Sequence, residues 1–262
     1  MSRARASLIS FAIIITLSLS ATAQKGPAAA ITADEIIARH LVAEGGAAKL
    51  KAQNTMRITG YAESPGFRAE FTEAKKRPNR LRRELRVSNN ALVEAYDGRV
   101  GWQMMPGKSV AEPIQGSDLK RLQEDVDFDG PLVDYRSKGN KIELAGKEKF
   151  AGMDVYNLRV TLSTGVVRNY YVNADNFLGA GLAGKTLSLD KETEFEITLD
   201  DFREVNGIKL PFKAQHHSRS EAGDVTLTFT FANVELNVPL DDSLFKMPET
   251  STGRTSEATA SR

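Results

Sequence analysis

From Met56 almost to the end of the chain, apolar residues recur at every second position, a period that suits β-strands and little else. Met56, Ile58 and Gly60 alternate with polar residues. So do Phe67, Ala69 and Phe71, then Leu81 and Leu85 with Val87, then Val100, Trp102 and Met104. Further strand patterns cover 141–145, 156–162, 166–172, 187–189, 192–202, 208–212 and 225–234. Asp97-Gly98 and Asn206-Gly207 fall between such runs, and both dipeptides favour tight turns between antiparallel neighbours. Many strands with short turns mean an antiparallel meander or barrel in one domain.

Two helical patterns interrupt the strands. Thr32 and Glu35 form a capping box ahead of Ile36, Ile37, His40 and Leu41, and Gly45-Gly46 stops that helix. Ser117 is placed to cap a second helix, with Leu119, Leu122 and Val126 on one face, ending near Gly130-Pro131.

The N-terminus is set apart. Arg3 and Arg5 precede a 12-residue apolar run from Leu8 to Leu19, and Ala21-Thr22-Ala23 fits a cleavage site. The run is short for a membrane span, so residues 1–23 read as a secretory signal peptide. Cleavage would turn the formal net charge from +1 to −1 by removing Arg3 and Arg5. Residues 24–32 read as a flexible lead-in, 33–248 as the folded domain, and the Ser/Thr-rich 249–262 as a disordered tail.

Composition excludes several chemistries. With no cysteine there is no disulfide, thiol nucleophile or Cys-ligated metal, and no lipid-modified N-terminal Cys. Three histidines (His40, His216, His217) leave little for a histidine metal site. The balance of 35 Lys+Arg against 34 Asp+Glu argues against nucleic acid as a partner.

Four local patterns invite functional readings. Gly179-x4-Gly184-Lys185-Thr186 matches a phosphate loop, yet Leu187-Ser188-Leu189 alternates as a strand where a helix is required, so a Gly-rich hairpin loop is expected. Asp125-x-Asp127-x-Asp129-Gly130 opens like a calcium loop, but its twelfth position is Arg136, so an acidic turn is expected. His216 and His217 are neighbours on a strand, point to opposite faces, and read as solvated edge residues. Seven cations fall in the twelve residues from Lys75 to Arg86, mostly on a solvated face. Arg83 alone is in phase with Leu81 and Leu85, as a polar anchor that orients a ligand would be. No Ser/His/Asp arrangement or spaced carboxylate pair stands out, which favours binding over catalysis.

Longer stretches of wording resemble a known family. Arg77-Pro78-Asn79-Arg80-Leu81-Arg82, then Tyr96-Asp97-Gly98-Arg99-Val100-Gly101-Trp102, then Met105-Pro106, resemble the LolA/LolB-like outer-membrane lipoprotein-sorting proteins. Gly130 to Tyr135, Asp201 to Phe212 and Val238 to Phe245 look like a branch of periplasmic members. The resemblance covers about Ala33 to Pro248. It implies a mainly β fold, an unclosed antiparallel half-barrel around an apolar concavity, with an N-terminal helix and a mid-chain helical lid. It implies a soluble periplasmic carrier that shelters acyl chains, without cofactor or metal and not itself lipid-anchored. Partners would be an acylated lipoprotein or lipid, with donor and acceptor at the inner and outer membranes; a monomer is expected.

On this reading the alternating sets line the pocket: Met56, Ile58, Phe67, Phe71, Leu81, Arg83, Leu85, Trp102, Met104, Leu158, Val160, Phe195, Ile197, Leu199, Leu227 and Phe229. Leu119, Leu122 and Val126 form the lid. One sheltered acyl chain can gain on the order of 10 kcal/mol, at roughly 0.8 kcal/mol per buried CH₂. Two alternatives stay open: a periplasmic acyl-ligand sensor with the same fold, and a nucleotide-dependent enzyme using 179–186.

Overall fold

The computed structural model describes residues 30–188, 191–221 and 223–249. The expected signal peptide, residues 24–29 of the lead-in and 250–262 of the tail lie outside the described residues. From Thr32 on, the described residues group as one compact unit.

Helices α1 (Ala33–Ala43) and α2 (Ala47–Lys51) come first. Strands β1 (Thr55–Ser64), β2 (Phe67–Lys76), β3 (Arg80–Val87), β4 (Asn90–Tyr96), β5 (Gly101–Met104) and the short β6 (Glu112–Pro113) follow. Helix α3 (Gly116–Asp125) leads to β7 (Lys141–Phe150), β8 (Met153–Thr161), β9 (Val167–Asn173), β10 (Gly179–Ser188), β11 (Lys191–Val205), β12 (Ile208–Ser220) and β13 (Gly223–Leu236). A 3-10 turn, Asp242–Phe245, closes the described chain.

Among the described residues all thirteen strands join one antiparallel sheet, ordered β6-β5-β4-β3-β2-β1-β13-β12-β11-β10-β9-β8-β7. The chain winds outward from β1 to one edge, crosses through α3, and winds back from β7 to β13, which pairs with β1. Edges β6 and β7 do not pair with each other, so the sheet is an open half-barrel.

The local signals act where expected. Thr32 Oγ1 accepts the Glu35 N–H at 3.2 Å, capping α1. Asn206 and Gly207 both have positive φ, 52° and 74°, the signature of the primed turn joining β11 to β12. At the β4–β5 turn the Asp97 carboxylate accepts the N–H groups of Arg99 and Val100 at 2.8 and 2.7 Å.

Other expectations need correction. Ser117 is not the N-cap of α3: the cap is Gln115, and Ser117 lies in the first turn. The 179–186 stretch is no hairpin loop; it lies within β10, antiparallel to β9 and β11. The period-two reading passed over α2, β4, β6 and the terminal 3-10 turn; all but the seven-residue β4 are five residues or shorter.

Candidate ligand-binding face

Register assigns every strand residue to one of two faces. Helices α1 and α3 pack on the inner face. Leu81 and Tyr96 form a buried cluster with Leu122, Val126 and Ile114, and Leu119 packs against it. Cross-strand pairing carries that face around the sheet: Leu81 to Lys75, Lys75 to Met56, Ile58 to Val234, Ala62 to Phe229, Phe229 to Ala214, Leu199 to Ala214, Ile197 to Leu182, Leu182 to Tyr170, and Tyr170 to Leu158. Met56, Ile58, Phe67, Phe71, Leu81, Arg83, Leu85, Leu158, Val160, Phe195, Ile197, Leu199, Leu227 and Phe229 therefore share the inner face, as the alternation required.

Trp102 and Met104 do not. Gly101 pairs with Tyr96 and so takes the inner position, which turns Trp102 and Met104 outward. There they pack with Val93, Ala95, Ala111 and Met247. A Cβ on Gly101 would lie 2.8 Å from Leu119 Cδ1 and 3.2 Å from Leu122 Cδ2, so α3 rests directly on backbone at that point.

The inner face changes character along the strands. Under α3 it is closed, with Leu122 fully buried. Beyond α3, Phe71, Phe229 and Phe231 form an aromatic group with centroids 5.0 to 6.4 Å apart. Further on, toward the β1–β2, β3–β4 and β12–β13 hairpins, apolar side chains meet solvent: Phe67, Val87 and Val225 are 39%, 44% and 57% exposed. The half-barrel is thus plugged by helices at one end and has an apolar mouth at the other.

A charged belt divides the two regions. Arg83 Nε donates to Glu73 at 2.5 Å and its Nη1 donates to Asp125, on α3, at 2.7 Å. Lys75 donates to the Asp125 carbonyl at 2.8 Å. Arg121 of α3 reaches Glu94 on β4 at 2.5 Å. On the opposite arm Arg168 of β9 donates to Glu124 at 2.5 Å. Burial alone would raise the carboxyls of Glu73 and Asp125, but the Arg83 guanidinium holds both below the ordinary carboxylate range. Burial likewise works against the Arg83 cation, and its two carboxylates push its pKa further up. Arg83 thus ties the end of α3 to the strands of the wall.

The remaining motifs settle into structural places. Asp125 pairs with Arg83, Asp127 with Lys138 at 2.8 Å, and Asp129 with Arg77, so the three acids of the calcium-like stretch serve separate cations. Lys185 is exposed and pairs with Glu192 at 2.7 Å. His216 and His217 do face opposite ways, but neither is on an edge, because β12 is an interior strand. His216 is half-buried on the inner face beside Phe195, and burial lowers its pKa. His217 bonds Thr226 Oγ1 on the other face at 2.9 Å.

Glu73, Arg168 and His216 were missed as inner-face residues by sequence reasoning. Each is in phase with apolar neighbours on its own strand, Glu73 with Phe71 and Arg168 with Tyr170 and Val172. A search for charges within the apolar phase finds them, as it found Arg83.

No protein-family profile matches the sequence, and no curated protein matches it either. Solved structures do match in fold. A DUF1329 family protein from Desulfovibrio piger aligns with TM-score 0.55 at 14% identity, over 81% of this chain and 96% of that one. A LolA superfamily protein from Nitrosomonas europaea gives 0.54 at 16%, over 83% and 98%. A domain from Vibrio parahaemolyticus, assigned to outer membrane lipoprotein sorting, gives 0.54 at 10%, over 80% and 94%. The chain has the LolA-like fold: a mainly β, open half-barrel with helices on its inner face. Among the described residues no helix is long and apolar enough to cross a membrane.

Proposed function

We propose that this protein is an exported, periplasmic carrier that shelters an acyl chain of a lipid or lipoprotein between the inner face and α3. The observation that carries this reading is the apolar mouth. Phe67, Val87 and Val225 are exposed at the hairpin end of the same inner face that carries the Phe71, Phe229 and Phe231 group. An ordinary core would be shut at that end. The polar groups of the wall are spent on ion pairs that hold α3, which supports binding rather than catalysis. The LolA-like neighbours support the same reading, one of them being assigned to outer membrane lipoprotein sorting.

The test is extraction of protein purified from its native envelope, with mass spectrometry of whatever co-purifies, and titration of the purified chain with a fluorescent long-chain fatty acid. Stoichiometric acyl lipid and saturable binding are expected. Protein that carries no lipid and binds none would overturn the carrier reading.

A further inference from the structure

Two guanidiniums on opposite arms of the sheet are neutralised by consecutive residues of one helix. Asp125 lies 2.7 Å from Arg83 on β3, and Glu124 lies 2.5 Å from Arg168 on β9. Successive helical residues project about 100° apart, which lets neighbouring carboxylates reach the two arms together. Thr164, in the β8–β9 turn, adds a hydrogen bond to Glu124 at 3.3 Å.

Arg168 is built as a receptor rather than as a surface cation. Its side chain is 11% exposed, and its Nε is buried without a hydrogen-bond partner among the described residues. The guanidinium lies 5.7 Å from the ring centroid of Phe195, and Tyr170 stands beside it. A buried cation without a counter-charge is costly, so whatever displaces α3 must bring an anion to this point. The same holds for the wall as a whole. Once α3 leaves, Lys75, Arg83 and Arg168 remain on the wall with Glu73 and Glu94, an excess of positive charge among these five groups. The helix carries the complement, with Asp118, Glu124 and Asp125 against Lys120 and Arg121.

We propose that Arg168, together with Arg83, forms a head-group site for an anionic amphiphile, a single acyl chain ending in a carboxylate or phosphate, and that Glu124 and Asp125 occupy this site in the closed protein. The chain of the ligand lies along Phe195, His216, Leu227 and Phe229, which register places on neighbouring strands of the inner face. A guanidinium suits either anion, since its planar donors can take two oxygens at once. This inference rests on the carrier reading and names the class of its cargo.

The test is competition against a bound fluorescent fatty acid on the full chain. Competitors are palmitate, palmitoyl lysophosphatidate, neutral monopalmitoylglycerol, and inorganic phosphate alone. Palmitate or lysophosphatidate should compete better than monopalmitoylglycerol, and the stronger of the two names the anion. Arg168→Gln should reduce the preference for anionic over neutral ligand by about tenfold, the worth of a charge-assisted hydrogen bond. Glu124→Gln should raise that preference, and it decides the matter should Arg168→Gln fail to fold. Equal binding of palmitate and monopalmitoylglycerol, unmoved by either variant, would overturn the head-group site and leave the carrier reading standing. Displacement by inorganic phosphate at the concentrations where lysophosphatidate acts would overturn the amphiphile, because the site would then read a free anion. Binding of no amphiphile at all would overturn the carrier reading itself.

Discussion

Trp102 donates its indole N–H to the Phe245 carbonyl at 2.8 Å, and both side chains are buried to 1% exposure or less. This contact ties the terminal segment to the back of the sheet, where Leu240 and Phe245 also cover Ala74. The single tryptophan therefore monitors the strap and not the inner face. Adding palmitate should leave Trp102 emission unchanged, while Phe245→Ala should red-shift it and cost about 3–5 kcal/mol of stability. A saturable shift of Trp102 emission with palmitate would contradict this placement.

Gly101 sets how closely α3 can approach. Gly101→Ala puts a methyl against Leu119 and Leu122. The leucine tips can swing, so the cost should stay near 1–3 kcal/mol, as for other overpacked sites. Hydrogen exchange should speed up in α3 and remain unchanged in β11 and β12. Uniform acceleration across the sheet would show that the helix is not a separable element.

Phe229 stands in the aromatic group of the inner face and is half-buried. Phe229→Asp should weaken fatty-acid binding at least tenfold, since a charge on the wall cannot be buried by an acyl chain, while the melting temperature falls only a few degrees. Phe229→Leu should retain binding. Unaltered affinity in Phe229→Asp would move the acyl chain elsewhere.

The charged belt predicts a pH window. Glu73 and Asp125 titrate below their ordinary values of 4.5 and 3.8 when folded. A carboxyl depressed by folding contributes stability that is complete above its unfolded pKa and lost as pH falls through its folded one. Attachment of α3 should hold from neutral pH down to about pH 4, then fail below it. His216 adds an earlier, smaller loss: burial holds its pKa below 6.5, so acid begins to charge a ring the fold keeps neutral. Binding of a hydrophobic dye should rise below pH 4, and His216→Gln should remove any change between pH 6.5 and 4.5. Release of α3 at pH 6 in the His216→Gln variant would refute the belt as the latch.

Export is checked at the N-terminus. Protein recovered from the native periplasm should begin at Gln24 on N-terminal sequencing. Chain that retains Met1 in the membrane fraction would contradict cleavage after Ala23.

Much of this molecule is legible along the chain because its determinants are local. Alternation assigns strands wherever one face is buried, Thr32 and Glu35 announce α1, and Asn206-Gly207 turns as its dihedral preferences require. Trp102 marks where that reading stops. Val100, Trp102 and Met104 alternate as a strand should, yet their face depends on which residue pairs across the β4–β5 turn. Tyr96 pairs with Gly101, which shifts the phase by one and sends Trp102 to the back. The terminal strap buries that back face as well, so apolar character alone does not say which side is inner.

By itself, then, the sequence determined most of the elements, the Asp97-Gly98 and Asn206-Gly207 turns and most of the apolar set, because those depend on dihedrals and periods within a few residues. Tertiary structure alone decided the pairing of β1 with β13, where Met56 meets Leu236, and the meeting of Arg83 with Asp125 and of Arg168 with Glu124. These partners are far apart in the chain. Their encounter depends on the path of the whole sheet and on where α3 crosses it, and no local preference encodes either.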